Sequence, residues 1–491
     1  MLTLAILLLP IIGSGLLFAS RGSNSKYLAL SVAIVEFILT AFLWYGFKAG
    51  SGVQYEIGQG LSFSHVGSTL HFGIDGLSLL MLLLTNTLTP IIIFSAFKDE
   101  RPSGFYALIL LMQFGLVGLF TSLDGLLFYI FWEVTLVPIW FICGLFGTGE
   151  NRLKVNFKFF IYTFLGSLFM LVALIYVYLQ AGSFDLQALY SAEISPEAQT
   201  VIFWMFFLAF AIKLPIFPFH TWQADTYAMA PTQGSMLLAG IMLKMGVFGM
   251  IKYLLPLTPE AVGGISGFVA LGLSVIGIVY ASLIAVVQKD IKRLIAFSSM
   301  AHVGLIAAGI FSGAIVTLHN GIDTTGIEGA SVQMLAHGVN VVGFFYVADI
   351  LTKRFGTRDL TKMGGLASKA PVFAVLFMII SIATMAVPLT NAFIGEFLLL
   401  KSIFTLSTWV VIFAGLTLIL SAVYTTKMYG MSMFGKGDKE FLEKQQDISI
   451  GTKTGLGILA CLILVFGIYP QPLISLSSET ATQILTLLSL K

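Results

Sequence analysis

Residues 206–249 read FFLAFAIKLPIFPFHTWQADTYAMAPTQGSMLLAGIMLKMGVFG. The stretch is apolar enough to lie in a bilayer, yet it holds Lys213, Pro215, Pro218 and His220, and then Lys244 deep in the next apolar run. A lysine at the centre of a membrane helix costs about 2.5–3.5 kcal/mol on insertion scales, so it normally faces a water path or a partner and marks function. The proline two residues after Lys213 removes a backbone donor and clashes with an earlier carbonyl. A membrane tolerates that only where other groups satisfy the freed backbone. These residues predict a broken, charged helix inside a membrane.

The rest of the chain has the same character. Of its 491 residues 10% are charged and 57% hydrophobic, with mean hydropathy +0.96, whereas soluble domains carry about a quarter charged residues. The fold class is all-α, a polytopic membrane protein. A net charge of +2 argues against nucleic acid as a partner. Cys143 and Cys461 both fall in apolar runs, with no CxxC and no Cys/His ligand spacing, so neither a disulfide framework nor a metal or iron–sulfur site is expected. No GxGxxG stands at a strand-to-helix junction and no GxxxxGK[ST] occurs. Redox chemistry and its cofactors are expected elsewhere.

Fourteen apolar runs fall at about 2–19, 27–47, 74–97, 104–121, 124–147, 156–181, 200–219, 230–254, 262–287, 294–312, 329–351, 371–390, 408–430 and 454–470, each long enough to span by the ~20-residue criterion. The first lacks a basic leader and reads as a retained signal anchor. With fourteen spans, one face receives Arg21, Lys26, Lys98, Arg101, Arg152, Lys154, Lys158, Lys289, Lys292, Arg293, Lys353, Arg354, Arg358, Lys362, Lys369, Lys427, Lys436, Lys439, Lys444 and Lys453. The other receives only Lys48, Lys252, Lys401 and Lys491. The positive-inside rule makes the first face cytoplasmic and both termini extracytoplasmic.

Residues 1–103 are expected to hold three spans and, at 50–76, a small extracytoplasmic β-hairpin around Gly58-Gln59-Gly60. Residues 104–254 and 255–430 form two five-span units. Because five is odd, the second enters from the opposite face, which predicts an inverted repeat with sites at midplane on interrupted helices. The interruptions fall in helices 7 and 12, at Lys213/Pro215 and in AVPLTNAFIGEFLLLK, with Pro388, Thr390-Asn391, Gly395 and Glu396. Residues 431–491 hold a polar cytoplasmic loop, a last span and a short interfacial segment at 474–490.

Glu133 is the tenth residue of its run, about 13 Å in at 1.5 Å per residue. A structural ion pair with a buried lysine is the bland account of Glu133, Lys213 and Lys244. The sharper one is a proton path, because buried pairs are weak stability devices. Glu396 lies five residues before Lys401 and has pairing with that lysine as its alternative. His220, His302 and His337 lie in or beside apolar runs and could each be hydrogen-bonded core residues; His65, His71 and His319 read as loop residues. Asp75 and Asp124 open their runs as helix N-caps. No nucleophile–base pair or metal cluster is visible. A row of titratable groups can hold and pass protons, and coupled sites titrate together. An outside motion that changed the Glu133–Lys213 separation must then alter the proton affinity of Lys244.

FWEVTLVPIW around Glu133, FAIKLPIFPFHTWQADTYAMAPTQGSMLLAGIMLKMG, QKDIKRLIAFSSMAHVG with His302 and NAFIGEF with Glu396 together resemble the antiporter-like membrane subunits of respiratory complex I, over nearly the whole chain. An acid at Glu396, where the L and N sister subunits carry lysine, and a short C-terminus point to the M, or chain-four, branch. The resemblance implies that Glu133 and Lys213 form a coupling pair, that Lys244 is the central proton carrier and that Glu396 lies toward the exit. His302 and His337 would support transfer between Lys244 and Glu396, with His220 less central. It also implies L- and N-type neighbours, a hetero-oligomer in contact with lipid and an energy-transducing membrane, the bacterial inner membrane. NADH, flavin, iron–sulfur clusters and quinone would belong to partner subunits. The implied function is proton translocation driven by quinone reduction elsewhere. A subunit of a multi-subunit cation/proton antiporter, which shares the lysine motifs, is the alternative.

Overall fold

A computed structural model describes every residue except Arg21, Ser23, Gln59, Leu61, residues 64–66, Lys436 and Lys491, and except the side chains of Ser62, Phe63 and Lys439. The expectations for His65 and for Arg21, Lys436 and Lys491 lie outside the described residues. Among the rest, twelve helices are long and apolar enough to cross a membrane. The two remaining runs fall on shorter or interrupted helices.

In chain order the helices are α1 (Leu2–Ala19), α2 (Ser25–Gly46), α3 (Gly76–Ser95), α4 (Ser103–Thr121), α5 (Gly125–Phe146), α6 (Arg152–Ala181), the short α7 (Leu186–Ser191), α8 (Pro196–Lys213) and α9 (Gln223–Met229). There follow α10 (Thr232–Leu257), α11 (Pro259–Gly263), α12 (Ile265–Val287), α13 (Ile291–Asn320), α14 (Thr325–Phe355), α15 (Pro371–Thr384), α16 (Asn391–Leu406), α17 (Thr408–Met433), α18 (Lys439–Glu443), α19 (Ile450–Ile468) and α20 (Gln471–Ser489). Helices α10, α13 and α14 are buried along nearly their whole length and form the centre; α1, α2, α6, α17 and α19 keep apolar faces outward, as lipid allows.

Acidic caps set the starts. Asp75 accepts from Ser78 N at 2.8 Å, and Asp124 accepts from Leu126 N and Leu127 N at 2.9 and 3.0 Å, satisfying orphan donors of α3 and α5. Asp124 also accepts from Thr69 N at 2.8 Å and Ser68 Oγ at 3.0 Å, so the cap ties the preceding strands to the bundle. Those strands are β1 (Gln54–Ile57), β2 (Ser62–Phe63), β3 (Ser68–Thr69) and β4 (Phe72–Ile74). β1 pairs antiparallel with β4, and β2 with β3. The β1–β4 register shifts between Gln54 and Ile57, and Gly58 and Gly60, both at positive φ, lie between β1 and β2.

Helix α8 ends at Lys213, where Pro215 and Pro218 forbid further helical turns, and the chain resumes as α9. Trp222 Nε1 returns to bond the Ile212 carbonyl at 2.9 Å, one way the broken backbone is satisfied inside the fold. The twelfth run, expected as one span over 371–390, stops at Thr384. Glu396 lies on the separate helix α16 beyond Pro388. Helix α10 contains two wide π turns, Leu238–Met242 and Met250–Leu254. α20 has one apolar stripe and packs it on α3 and α14.

Three positions differ from expectation. Lys252 and Lys292, counted as face charges, are buried: Lys252 pairs with Asp75, and Lys292 Nζ donates to Ala230 O at 2.8 Å. Both lie within a turn or two of a helix end, where a long side chain can turn inward to a partner. His319 occupies the last turn of α13 rather than a loop, bonding Gly263 O at 3.2 Å.

Candidate functional site

The interior of α10, α13, α14 and α16 carries the polar row. Lys244, 1% exposed, has two partners: its ammonium donates to the Ala239 carbonyl at 2.7 Å, and its Nζ lies 2.9 Å from His337 Nδ1. Ala239 belongs to the first π turn, and such turns gather at functional sites. The His337 ring centroid is 6.1 Å from that of His302. His302 Nδ1 meets Glu396 Oε1 at 2.9 Å, and Gln333 Nε2 donates to the same oxygen at 3.0 Å. On its other side His302 Nε2 lies 3.4 Å from the Tyr424 hydroxyl, itself bonded by Ser298 at 3.1 Å. Four helices thus bring Lys244, His337, His302 and Glu396 into one line. Glu396 has no bond to Lys401 among the described residues, so the interface alternative for this acid is not the arrangement found.

A cavity of about 20 Å³ opens among His302, Gln333, His337, Asn340, Thr384 and Glu396, enough for one water. His337 Nε2, Glu396 Oε2, Gln333 Oε1 and Asn340 Oδ1 have no protein partner. Polar atoms of this kind around a water-sized space suit proton relay.

The other half lies on α5 and α8. Lys213 Nζ is buried without a hydrogen-bond partner and sits 5.2 Å from the centroid of the Trp132 ring, a cation–π contact. Glu133, next to Trp132, interacts with the Lys213 charge and has Ser167 beside its carboxylate. No direct ion pair joins them, so their coupling acts across space. The end of α8 packs tightly on α10: a Cβ at Gly246 would meet Leu214 Cδ1 at 2.0 Å. His220 stands apart, packed against Phe217 and Tyr280 with ring centroids 5.7 and 5.0 Å away.

Sequence reasoning did not single out Trp132, Gln333, Tyr424 or Ser167. Gln333 is one helical turn before His337 and so shares its face, a signal open to inspection; Tyr424 and Ser167 are common residue types in apolar runs and carried none. It also passed over Glu36, the tenth residue of its run as Glu133 is of its own. Among the described residues no group of three or more His, Cys, Asp and Glu could hold a metal ion.

Comparison with known proteins gives a consistent answer. Residues 122–421 match the family described as NADH:quinone oxidoreductase/Mrp antiporter, transmembrane region. NADH-quinone oxidoreductase subunit M of Rickettsia typhi is 39% identical over 94% of this chain and 93% of its own length. NADH-ubiquinone oxidoreductase chain 4 of Marchantia polymorpha is 34% identical over 95% of this chain and 93% of its own. Among solved structures, a chain of respiratory complex I from Thermus thermophilus with bound NADH superposes with TM-score 0.88 at 30% identity, covering 99% of this chain and all of that one. The chain belongs to the antiporter-like membrane subunits of NADH:quinone oxidoreductase, in the group of subunit M and chain 4.

Proposed function

We propose that this chain translocates protons as a subunit of complex I, using conformational work delivered by quinone reduction in other subunits. The observation that carries the reading is the buried row Lys244, His337, His302 and Glu396, joined by two 2.9 Å contacts and a 6.1 Å approach of the two imidazole rings, with Lys213 and Glu133 on α8 and α5, where the end of α8 packs on α10. Movement of the Glu133 carboxylate toward or away from Lys213 changes how strongly Lys213 holds its charge, and Lys244 responds by giving up or taking a proton. His337 and His302 accept and donate in turn, and Glu396 receives the proton last. The chain itself holds no redox centre in this scheme; NADH, flavin, iron–sulfur clusters and quinone sit in partner subunits.

Further parts of the proposal rest on the family and on charge. The chain crosses the membrane fourteen times, as two inverted five-helix units over residues 104–254 and 255–430, with α8–α9 and α15–α16 as the broken helices. It sits in a bacterial inner membrane between L- and N-type neighbours and lipid, with both termini outside. Lys244→Ala and Glu133→Ala, in complexes that still assemble, are expected to reduce proton uptake into inverted vesicles and coupled quinone reductase activity by about tenfold or more, the factor that 1.4 kcal/mol of lost stabilisation produces. Normal pumping by an assembled Lys244→Ala complex overturns the path.

A further inference from the structure

Helices α2, α3 and α4 enclose a polar cluster that plays no part in that row. Glu36, on α2, is fully buried. Thr40, one turn on, donates its hydroxyl to the Glu36 backbone carbonyl at 2.8 Å. From α3 the Asn86 amide donates to Thr40 Oγ1 at 2.7 Å and reaches Glu36 Oε2 at 3.5 Å. From α4 Gln113 Nε2 donates to Asn86 Oδ1 at 2.7 Å. Two buried acceptors have no partner, Glu36 Oε1 and Gln113 Oε1.

Among the described residues no charge balances this carboxyl. The helices packed on α2 are α1, α3 and α4. α1 and α3 have no ionisable side chain, and α4 contributes only Tyr106. On α2 itself the others are Lys26, Tyr27 and Tyr45, nine or ten residues from Glu36 and so about 14–15 Å along the axis. A carboxylate here is an unpaired charge in hydrocarbon, which membranes disfavour strongly. A carboxylic acid instead turns Oε1 into a donor, in a cluster where Gln113 Oε1 is an acceptor lacking one.

We propose that Glu36, held by Asn86 and Gln113, is a second proton-binding site of this chain. It takes up and releases one proton at Oε1: an O–H bond forms or breaks, no electron moves and no other reactant is needed. Helix α3 ties the site to Lys244. Leu84 and Leu88 stand two residues to either side of Asn86 and face away from it. A Cβ at Gly338 would lie 2.7 Å from Leu84 Cδ1, and one at Gly240 3.6 Å from Leu88 Cδ1. Those glycines directly follow His337 and Ala239, the two partners of Lys244. A change in the proton on Glu36 moves Asn86 and is felt at Lys244 through one helix, and by linkage the effect is reciprocal. This coupling rests on Lys244 as proton carrier; the binding site does not.

The test is an infrared pH-difference spectrum of the purified complex containing this chain. Glu36→Gln is expected to remove one protonated-carboxyl band, and Lys244→Ala to shift the midpoint of that band by about fivefold or more in proton affinity. Gln113→Leu keeps the carboxyl and removes its neighbour, so it must move the same band; it serves if Glu36→Gln does not assemble. A Glu36→Gln spectrum identical to the parent throughout the pH range of the assembled complex overturns the site, as does a band in the parent that responds to Na⁺ rather than to pH. An unmoved band in Lys244→Ala overturns the coupling alone. Normal pumping by Lys244→Ala with the Glu36 band present overturns the row and leaves the site standing.

Discussion

Among the described residues four lysines are buried, and what surrounds each differs. Lys252 meets the Asp75 carboxylate directly, and Lys292 meets the Ala230 carbonyl. Lys213 Nζ has no hydrogen-bond partner, the Trp132 ring nearby and Glu133 at a distance, while Lys244 has a carbonyl and a histidine nitrogen. A fully paired ammonium has little reason to change its charge; an under-compensated one can give up a proton when its surroundings shift. The Asp75–Lys252 pair is accordingly structural. Lys252→Met is expected to destabilise the chain by about 3–5 kcal/mol, because it strands Asp75 as a buried charge. Asp75→Asn with Lys252→Met should regain most of that, since asparagine still caps α3. Thermal unfolding of the purified complex checks both; a double variant no better than the single one contradicts the assignment.

Among the elements, the paired strands are attached through a partly exposed histidine. His71, between β3 and β4, lies 3.0 Å from Asp185 Oδ2 through Nδ1 and 2.8 Å from Glu56 Oε2 through Nε2. Burial alone lowers the His71 pKa, but Asp185 and Glu56, by hydrogen bond and by charge, outweigh it and hold the imidazole above its ordinary 6.5. Folding therefore gains from the protonated ring. That gain is fully present below the unfolded pKa and is lost as pH rises through the raised folded value. Hydrogen exchange at residues 54–74, corrected for the intrinsic rate, should show the strands loosening as pH rises. His71→Gln should flatten that dependence, and an unchanged profile counts against the clasp. The C-terminal element is fastened by shape: a Cβ at Gly76 would stand 1.6 Å from the Leu476 carbonyl oxygen, so α20 docks where only glycine leaves room.

For the molecule as a whole, the charge distribution proposes an orientation. Cysteine in place of Ser51, near the strands, and in place of Glu443, in the polar loop, should react with impermeant reagents from opposite sides of the membrane; labelling from the same side sinks the orientation. Much of the architecture was legible because hydrocarbon length and sparse charge leave few alternatives: Lys213, Lys244 and Glu133 stood out as ionisable groups inside long apolar runs. Lys252 did not, since its partner Asp75 is 177 residues away and each read as an ordinary end-of-helix residue. Glu36 carried the same signal as Glu133, but its partners are amides, and nothing in a sequence announces which neutral residues of distant helices will meet. The junction of His302 with Glu396 needed the packing of α13 on α16, which periodicity does not supply.

The two π turns of α10 bracket Lys244, and each amounts to an α turn with one residue inserted. One residue is about 100° of helical rotation. The direction in which this lysine points is therefore a matter of counting as well as chemistry. Deleting a single residue within 238–242 leaves every titratable group in the chain, yet it closes the first wide turn to an ordinary α turn and removes the widened backbone from which the Ala239 carbonyl meets Lys244 Nζ. Such a deletion should retain the helix content of the parent while proton uptake is lost, and a deletion variant that still pumps would mean the row tolerates a frame it was not built on.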